Sequence, residues 1–385
     1  MFKSFKTEIM PTREQQQIIL RTIGVCRYVY NLYIETNQAA YKAAQPFITG
    51  MTFSKWLNNE YLPNNPDKQW IKDVSTKAVK KSIMNAERAY KNFFKGRAGF
   101  PNFKKKGVSD PTMYFVRNDA KHIIDCQRHR IKIPTLGWVR VKEYGYLPTD
   151  GSIKSGTVSV HAGRFFVSVL AEVADPIRQA AETEGIGVDL GIKEFATVSN
   201  GKVYKNVNKS RKMRRLKKRL RREQRRLSRK YESLKRRKSK GEATRQNIHK
   251  QQRKVQRIYY RLDCIRTDYL NKTIAELVRI KPEYIVIEDL NVSGMMKNHH
   301  LSRAVSEQKF FEFRMKLTVK CAESGVEVRI ADRFYPSSKT CHNCGCVKHD
   351  LKLSDRVYVC NCGFVADRDY NAALNLRDTE RYKIA

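Results

Sequence analysis

Gly185-Ile-Gly-Val-Asp-Leu-Gly191 is a short apolar run that closes on an acid, and two later stretches repeat its logic. Ile186 and Val188 lead to Asp189 as a strand leads to its carboxyl end. The return run Phe195-Ala-Thr-Val198, the Asn200-Gly201 turn and a third run to residue 205 complete a β-meander. Tyr284-Ile-Val-Ile-Glu-Asp-Leu290 sets Glu288 at the end of a run suited to a central parallel strand, and Val326-Glu-Val-Arg-Ile-Ala331 is another. Asp369, in Asp367-Arg-Asp-Tyr-Asn-Ala-Ala373, opens a helix whose Ala372, Ala373 and Leu376 can pack on the same sheet. Strands, long helices and strands again predict an α/β core with a crevice at the strand ends, where open sheets place ligands.

Each acid taken singly has a plainer reading. Strand-end Asp or Glu often meets solvent, and Asp367 or Asp369 can serve as a helix N-cap. Asp289 should face away from Glu288 by the period of two, so it receives no catalytic role. Three such carboxylates in a chain of formal charge +39 are nevertheless better placed to hold divalent metal than to balance charge. Hydrolysis of a phosphodiester at neutral pH needs an activated water and a neutralised leaving oxygen. Two divalent ions about 4 Å apart supply both, and carboxylate oxygens hold them. Asp189, Glu288 and Asp369 therefore suggest a nuclease.

Between the meander and Glu288 the chain is densely basic. From Lys209 to Arg257 there are 24 Lys or Arg against three Glu. Met213, Leu216, Leu220, Leu227 and Leu234 keep near-heptad spacing, as do Val255, Tyr259, Leu262, Tyr269 and Leu277 after a break at Ser239-Lys-Gly241, so an antiparallel helical hairpin over about 209–277 is expected. Such charge can mark a solvated face or a disordered arm. The apolar stripe argues against disorder, and like-charge repulsion along one helix favours a polyanion beside it. Arg214, Arg215, Lys218 and Arg222 are its candidate nucleic-acid contacts.

Five of the nine cysteines crowd into the 22 residues from Cys341 to Cys362, while Cys26, Cys126, Cys264 and Cys321 stand alone in apolar segments. Cys341-His-Asn-Cys344 and Cys360-Asn-Cys362 offer two knuckles to one tetrahedral Zn²⁺, with Cys346 a spare and His342 an alternative donor. Four thiolates leave no open position for water, so this zinc would be structural. His299-His300 lies in a basic stretch and reads as a phosphate-facing loop.

In the amino-terminal half, residues 2–10 alternate as an edge strand would, and Thr12-Arg-Glu-Gln15 is a capping box opening a helix through Ile19, Ile23, Cys26, Tyr30 and Ile34. A second helix, Ser75 to Phe94, keeps Val79, Ile83, Ala86, Tyr90 and Phe94 in phase and carries Lys77, Lys80, Lys81 and Arg88 opposite. A basic, aromatic-studded linker runs over 96–107. Short strands follow from Met113 to Ala174, spaced as in a small barrel or sandwich that the first strand could join.

The whole chain has 385 residues, 41% hydrophobic, with 77 Lys plus Arg against 38 Asp plus Glu. That supports two or three domains with real cores and argues against a disordered polycation. The charge is the footprint of a protein that neutralises phosphates, with a membrane surface the weaker alternative. No apolar stretch is long enough to span a bilayer and no apolar signal core follows Met1, so a cytoplasmic, nucleoid-associated location is expected.

Gly-Val-Asp-Leu-Gly-Ile-Lys193, Ile-Glu-Asp-Leu290, Tyr335-Pro-Ser-Ser-Lys-Thr-Cys-His-Asn-Cys-Gly345 and Cys-Asn-Cys-Gly-Phe-Val-Ala-Asp-Arg-Asp-Tyr-Asn-Ala-Ala-Leu-Asn375 together resemble the TnpB family, transposon-associated RNA-guided DNA endonucleases related to type V CRISPR effectors. Ala89-Tyr-Lys-Asn-Phe-Phe94 and Gly99-Phe-Pro-Asn-Phe-Lys-Lys105 extend the likeness into the first half. The resemblance implies a multidomain α+β and α/β protein. Residues 1–10 and 111–175 would form a wedge β-barrel with a helical recognition lobe, 11–107, inserted. Residues 185–340 and 366–385 would form an RNase H-like (RuvC) nuclease domain interrupted by a zinc-ribbon target-nucleation segment, 341–365.

It also implies a catalytic triad of Asp189, Glu288 and Asp369 holding two Mg²⁺ ions, a guide RNA made from the transposon end, and a double-stranded DNA target beside a short motif. Thr76 and Lys80 become candidates for reading that motif, because the family uses the matching helix. Base pairing would carry most of the sequence recognition. The Cys-Asn-Cys spacing departs from the family's two intervening residues and should alter one knuckle. Two rivals stand beside this reading. A nuclease-inactive RNA-guided repressor would tend to lose the carboxylates, and an RNase H-like transposase would want an end-binding domain that is not evident after Asn375.

Overall fold

The computed structural model describes residues 1–107, 112–116, 124–149, 152–175, 180–238, 245–352 and 355–385. The chain divides into two compact units, Met1–Asp175 and Pro176–Ala385. No described helix is long and apolar enough to cross a membrane.

In the first unit a seven-stranded antiparallel sheet is built from β1 (Phe2–Met10), β2 (Thr112–Val116), β3 (Asp125–Gln127), β4 (Arg130–Ile133), β5 (Gly137–Val141), β6 (Ser152–His161) and β7 (Arg164–Glu172). Their order, β2-β6-β7-β1-β5-β4-β3, puts β1 at the centre, which corrects the expected edge strand. The cause is its pairing: Phe2 to Ile9 ladder against β7, and Ile9 and Met10 turn to β5. The helices are inserted between β1 and β2. Thr12 caps the helix Arg13–Lys42 in the expected reciprocal box with Gln15. Val25, Val29, Tyr33 and Ile34 of that helix pack with Val79, Ile83, Ala86 and Tyr90 of the helix Thr76–Phe94. Phe94, expected on that stripe, is exposed because the helix ends there.

The second unit holds a six-stranded sheet of β8 (Ile186–Leu190), β9 (Glu194–Val198), β10 (Val203–Lys205), β11 (Tyr284–Glu288), β12 (Glu327–Ala331) and β15 (Tyr382–Ile384), in the order β10-β9-β8-β11-β12-β15. Strands β13 (Val357–Val359) and β14 (Val365–Asp367) form a separate hairpin. β8, β11 and β12 are parallel, and the meander β8-β9-β10 turns at Gly201, where φ is +84°. Side-chain alternation gives the sheet two different faces. Ile186, Val188, Leu190, Ile285, Ile287, Val328 and Ile330 share one core with Leu270, Ile274 and Leu277 of the helix Gln246–Arg279 and with Phe313 and Leu317 of the helix Phe310–Ser324. On the other face Val286 and Ala331 pack against Leu376 of the helix Arg368–Asp378.

The basic hairpin is present: Arg211–Lys238 runs antiparallel to Gln246–Arg279, with Glu223 accepting from Gln251 and the Asn247 carbonyl from Lys230. The expected break at Ser239-Lys-Gly241 lies outside the described residues. Met213, Leu220, Val255 and Leu262 are buried as expected, but Ile258 takes the core position assigned to Tyr259. Tyr259 is half exposed and its hydroxyl accepts from Gln224 on the hairpin's surface, a use open to a phenol and not to an aliphatic side chain.

Gly187 is where the second face closes. A Cβ there would sit on the Ala373 carbonyl oxygen and 2.5 Å from the Arg377 nitrogen, so only hydrogen lets the helix lie this close to β8. Because the obstacle is helix backbone, Gly187→Ala should destabilise the unit by about 3 kcal/mol, read from the denaturation midpoint. A variant as stable as the parent would contradict this packing.

Candidate active site

Gly187 and Asp189 are two residues apart on β8 and so share a face, the one covered by the helix Arg368–Asp378. β11 pairs with β8 in the register Ile285↔Ile186, Val286↔Gly187, Ile287↔Val188, and one more step sets Glu288 beside Asp189. Asp369 stands in the first turn of the helix. The sheet thus supplies two acids and the helix the third. Asp367, and not Asp369, is the N-cap: its Oδ1 accepts from the N–H of Asp369 and of Tyr370 at 2.9 and 3.2 Å. That leaves the Asp369 carboxylate free of capping.

The acids act on one another's charge. Burial, then the charges of Glu288 and Asp369, push the Asp189 carboxyl well above the usual carboxylate range, against a smaller opposing pull from Arg368. Glu288 is raised too, by burial first and then by Asp369, while the Ser337 hydroxyl that donates to its Oε1 at 2.8 Å works the other way. Asp369 is held by Arg368 at 3.0 Å and by Arg356 at 3.8 Å. Asp189 and Glu288 each keep part of their surface accessible. An anionic cluster of this kind, costly as it stands, is relieved by a multivalent cation.

The segment after β12 has a supporting role that the sequence reading did not assign. Asn371 and Asn375, one helical turn apart and both buried, aim their amides at that segment. Asn375 Nδ2 donates to the carbonyls of Ser337 and Thr340, both at 2.7 Å. Asn371 Nδ2 also donates to Thr340 at 2.7 Å, and its Oδ1 accepts from the His342 N–H at 3.1 Å. Ser337 is thereby fixed against Glu288. Asn371 and Asn375 sit four apart in Asp367-Arg-Asp-Tyr-Asn-Ala-Ala-Leu-Asn375, and two asparagines at that spacing within a buried helix face were the available signal.

Asp289 departs from the site as expected. Burial alone would raise its carboxyl, but Arg333 at 2.7 Å, Lys383 at 3.7 Å and Arg314 at 2.9 Å outweigh burial and hold it below the usual range.

The four cysteines converge. Cys341, Cys344, Cys360 and Cys362 place ligand atoms all within 4.8 Å of one another, the one such His, Cys, Asp or Glu group among the described residues. Sγ separations of 3.7 Å for Cys341–Cys362 and 3.6 Å for Cys344–Cys360 fit the edge of a tetrahedron, which for Zn–S bonds of about 2.3 Å is about 3.8 Å. The shortened Cys-Asn-Cys knuckle therefore still reaches the group, turning at Gly363 with φ +87°. The Phe364 N–H, and then the Asn343 amide, bring the Cys362 thiol down to about 6, ready to ligate as thiolate. Cys346 and His342 stay outside the group.

Of the candidate nucleic-acid contacts, Arg215, Lys218 and Arg222 line one open groove of about 1040 Å³ with Arg219 and Arg261. Arg214 is exposed but does not line it. Thr76 and Lys80 are exposed on successive turns of their helix in the first unit. His299 and His300 lie in an exposed turn.

A raised Asp189 has a stability consequence whose sign is fixed. An unfolded Asp titrates near 4, and the folded carboxyl titrates higher, so ionising it penalises the fold at neutral pH and not below that value. In EDTA, Asp189→Asn should raise Tm at pH 7 to 8 by about 2 to 5 °C, and the gain should shrink toward pH 4. Equal Tm values at pH 8, or a gain that grows on acidification, would contradict the crowding of these acids.

Residues 168–299 match a family described as a probable transposase of the OrfB IS605 type, residues 310–376 a Cas12f1-like TNB domain, and residues 1–45 a helix-turn-helix domain. In that last stretch the chain forms β1 and a single continuous helix. The chain is 34% identical over 383 residues to the "Putative RNA-guided DNA endonuclease" of Streptomyces pristinaespiralis, covering 97% of this chain and 88% of that one. It is 32% identical over 392 residues to the "Putative RNA-guided DNA endonuclease InsQ" of Escherichia coli K12, covering 97% and 91%. A stretch of 99 residues, 24% of this chain and 18% of the relative, is 37% identical to the "TnpB-like protein L79" of Acanthamoeba polyphaga mimivirus. The Cas12f1 chain of a cryo-EM complex with sgRNA and target DNA superposes with a TM-score of 0.50 at 14% identity, covering 100% of this chain and 99% of that one, which is a likeness of fold. With such identity sustained across nearly its whole length, the chain belongs to the TnpB family.

Proposed function

We propose that this chain is a magnesium-dependent, RNA-guided DNA endonuclease. The observation that carries the reading is that Asp189 and Glu288 lie at the carboxyl ends of the two central strands, where the charges of Glu288 and Asp369 raise the Asp189 carboxyl and that of Asp369 raises Glu288. Two relatives at 34% and 32% identity, both named as RNA-guided DNA endonucleases, support the guide RNA and the DNA target. Residues 1–10 and 111–175 act as the wedge, 11–107 as the recognition lobe, 185–340 and 366–385 as the RuvC-like nuclease domain, and 341–365 as the target-nucleation ribbon. A structural Zn²⁺ on Cys341, Cys344, Cys360 and Cys362 stiffens that ribbon.

Magnesium bound by the trio would supply an activated water and neutralise charge on the leaving oxygen. The chain's own groups prepare the place. Asp189, Glu288 and Asp369 offer hard oxygen donors from three distant parts of the sequence. Ser337 holds one Glu288 oxygen in a fixed direction, leaving the other for coordination. Arg368 and Arg356 steady Asp369 while the site is anionic. Arg214, Arg215, Lys218 and Arg222 on the basic helix meet phosphates of the guide or its hybrid, and Thr76 and Lys80 face the duplex motif beside the target.

The test begins with RNA that copurifies with the full chain, sequenced to define scaffold and guide. A matched duplex should be cut in Mg²⁺ and spared in EDTA. Asp189→Ala should abolish cutting and leave guided binding nearly unchanged. A wild-type complex that binds its target and cuts nothing in Mg²⁺ would favour a guided repressor, and joined strands among the products would favour a transposase.

A further inference from the structure

Phe334 is 89% exposed, the highest value among the exposed large hydrophobic side chains. It is not a loose residue. It occupies the tip of a tight turn in which the Tyr335 N–H donates to the Asp332 carbonyl at 3.0 Å. On one side the Asp332 N–H donates to the Arg381 carbonyl at 2.9 Å and Arg333 is pinned to the part-buried Asp289 at 2.7 Å. On the other the Tyr335 hydroxyl donates to the Asn375 carbonyl at 3.2 Å. The backbone thus presents a bare ring to solvent from a braced position, and the ring makes no aromatic contact among the described residues.

Its place in the sheet is informative. Ala331, the last residue of β12, pairs with Glu288, and Phe334 follows three residues later at the same carboxyl end of the parallel strands. Three residues further on, Ser337 donates to Glu288. The turn that carries the ring therefore links the end of β12 to the Ser337 that bonds Glu288. The cavity beside it mixes Arg333, Arg381 and Lys383 with Asp289, Asp332 and Glu380, so it carries no net charge. Attraction for phosphate is weak there. What the turn offers is a π face, which suits an unstacked base of any identity.

We propose that Phe334 is a stacking contact for one nucleobase of the DNA strand presented to Asp189, Glu288 and Asp369, holding that strand beside the site. This rests on the nuclease reading above. A base inside a duplex has both faces covered and cannot make this contact, so the ring engages a base of an unpaired stretch, without sequence preference.

The test uses the full chain with its copurified RNA and target duplexes carrying 2-aminopurine singly at positions around the mapped cut. In the Asp189→Ala background the positions of the melted strand should gain emission as they leave the duplex stack, save one that stays quenched. F334A should raise emission at that position, and F334W should keep it quenched. In otherwise wild-type protein F334A should slow cutting about tenfold, and F334W should restore the rate. Unchanged emission in F334A at every position, or cutting at the parental rate, overturns the proposal. If wild type binds but does not cut, the nuclease reading fails by itself, and the fluorescence still decides whether the ring stacks on a base.

Discussion

The contact between a helix backbone and a glycine organises the second unit. At Gly187 the helix Arg368–Asp378 approaches β8 so closely that no side chain fits between them. Two residues on, the same strand face turns Asp189 toward the start of that helix, and the neighbouring parallel strand adds Glu288. Close packing at one point thus converts three acids separated by 180 residues of chain into one electrostatic unit. The cost of crowding them is the reason to expect a cation: stability alone would favour amides at these positions.

The four clustered cysteines and the acidic site belong to one bonded framework. Asn371 and Asn375 reach from the helix carrying Asp369 to the strand-to-ribbon segment, fastening Ser337, Thr340 and His342 next to Cys341. Ser337 then bonds Glu288. A metal ion on the four thiols would therefore brace a segment that orients a candidate magnesium ligand. The same segment carries Phe334 outward. Neutral side-chain charge around it contrasts with the basic groove of the hairpin, and the two surfaces suit different parts of a nucleic acid, base and phosphate.

Much of this was legible in the sequence because period and punctuation are local. Asp189 and Glu288 stand where apolar runs stop on an acid, the meander is marked by Asn200-Gly201, and the four-cysteine group by cysteine spacing. Positions set by long-range pairing were not legible. β1 reads as an edge strand from its own alternation, but the residues it pairs with on β5 and β7 lie 130 or more positions away and enclose it. Tyr259 and Ile258 both fit a drifting heptad, and the facing helix decided between them. Ser337, Asn371 and Asn375 look like ordinary loop and helix polar residues until tertiary hydrogen bonds give them partners.

The central claim is that Asp189, Glu288 and Asp369 share metal ions. Anomalous diffraction from crystals of the RNA-bound protein grown with Mn²⁺ in place of Mg²⁺ tests it most directly. The account predicts two peaks about 4 Å apart, each touched by oxygens of these three side chains. A single peak elsewhere, or three carboxylates that point apart around no ion, would contradict it.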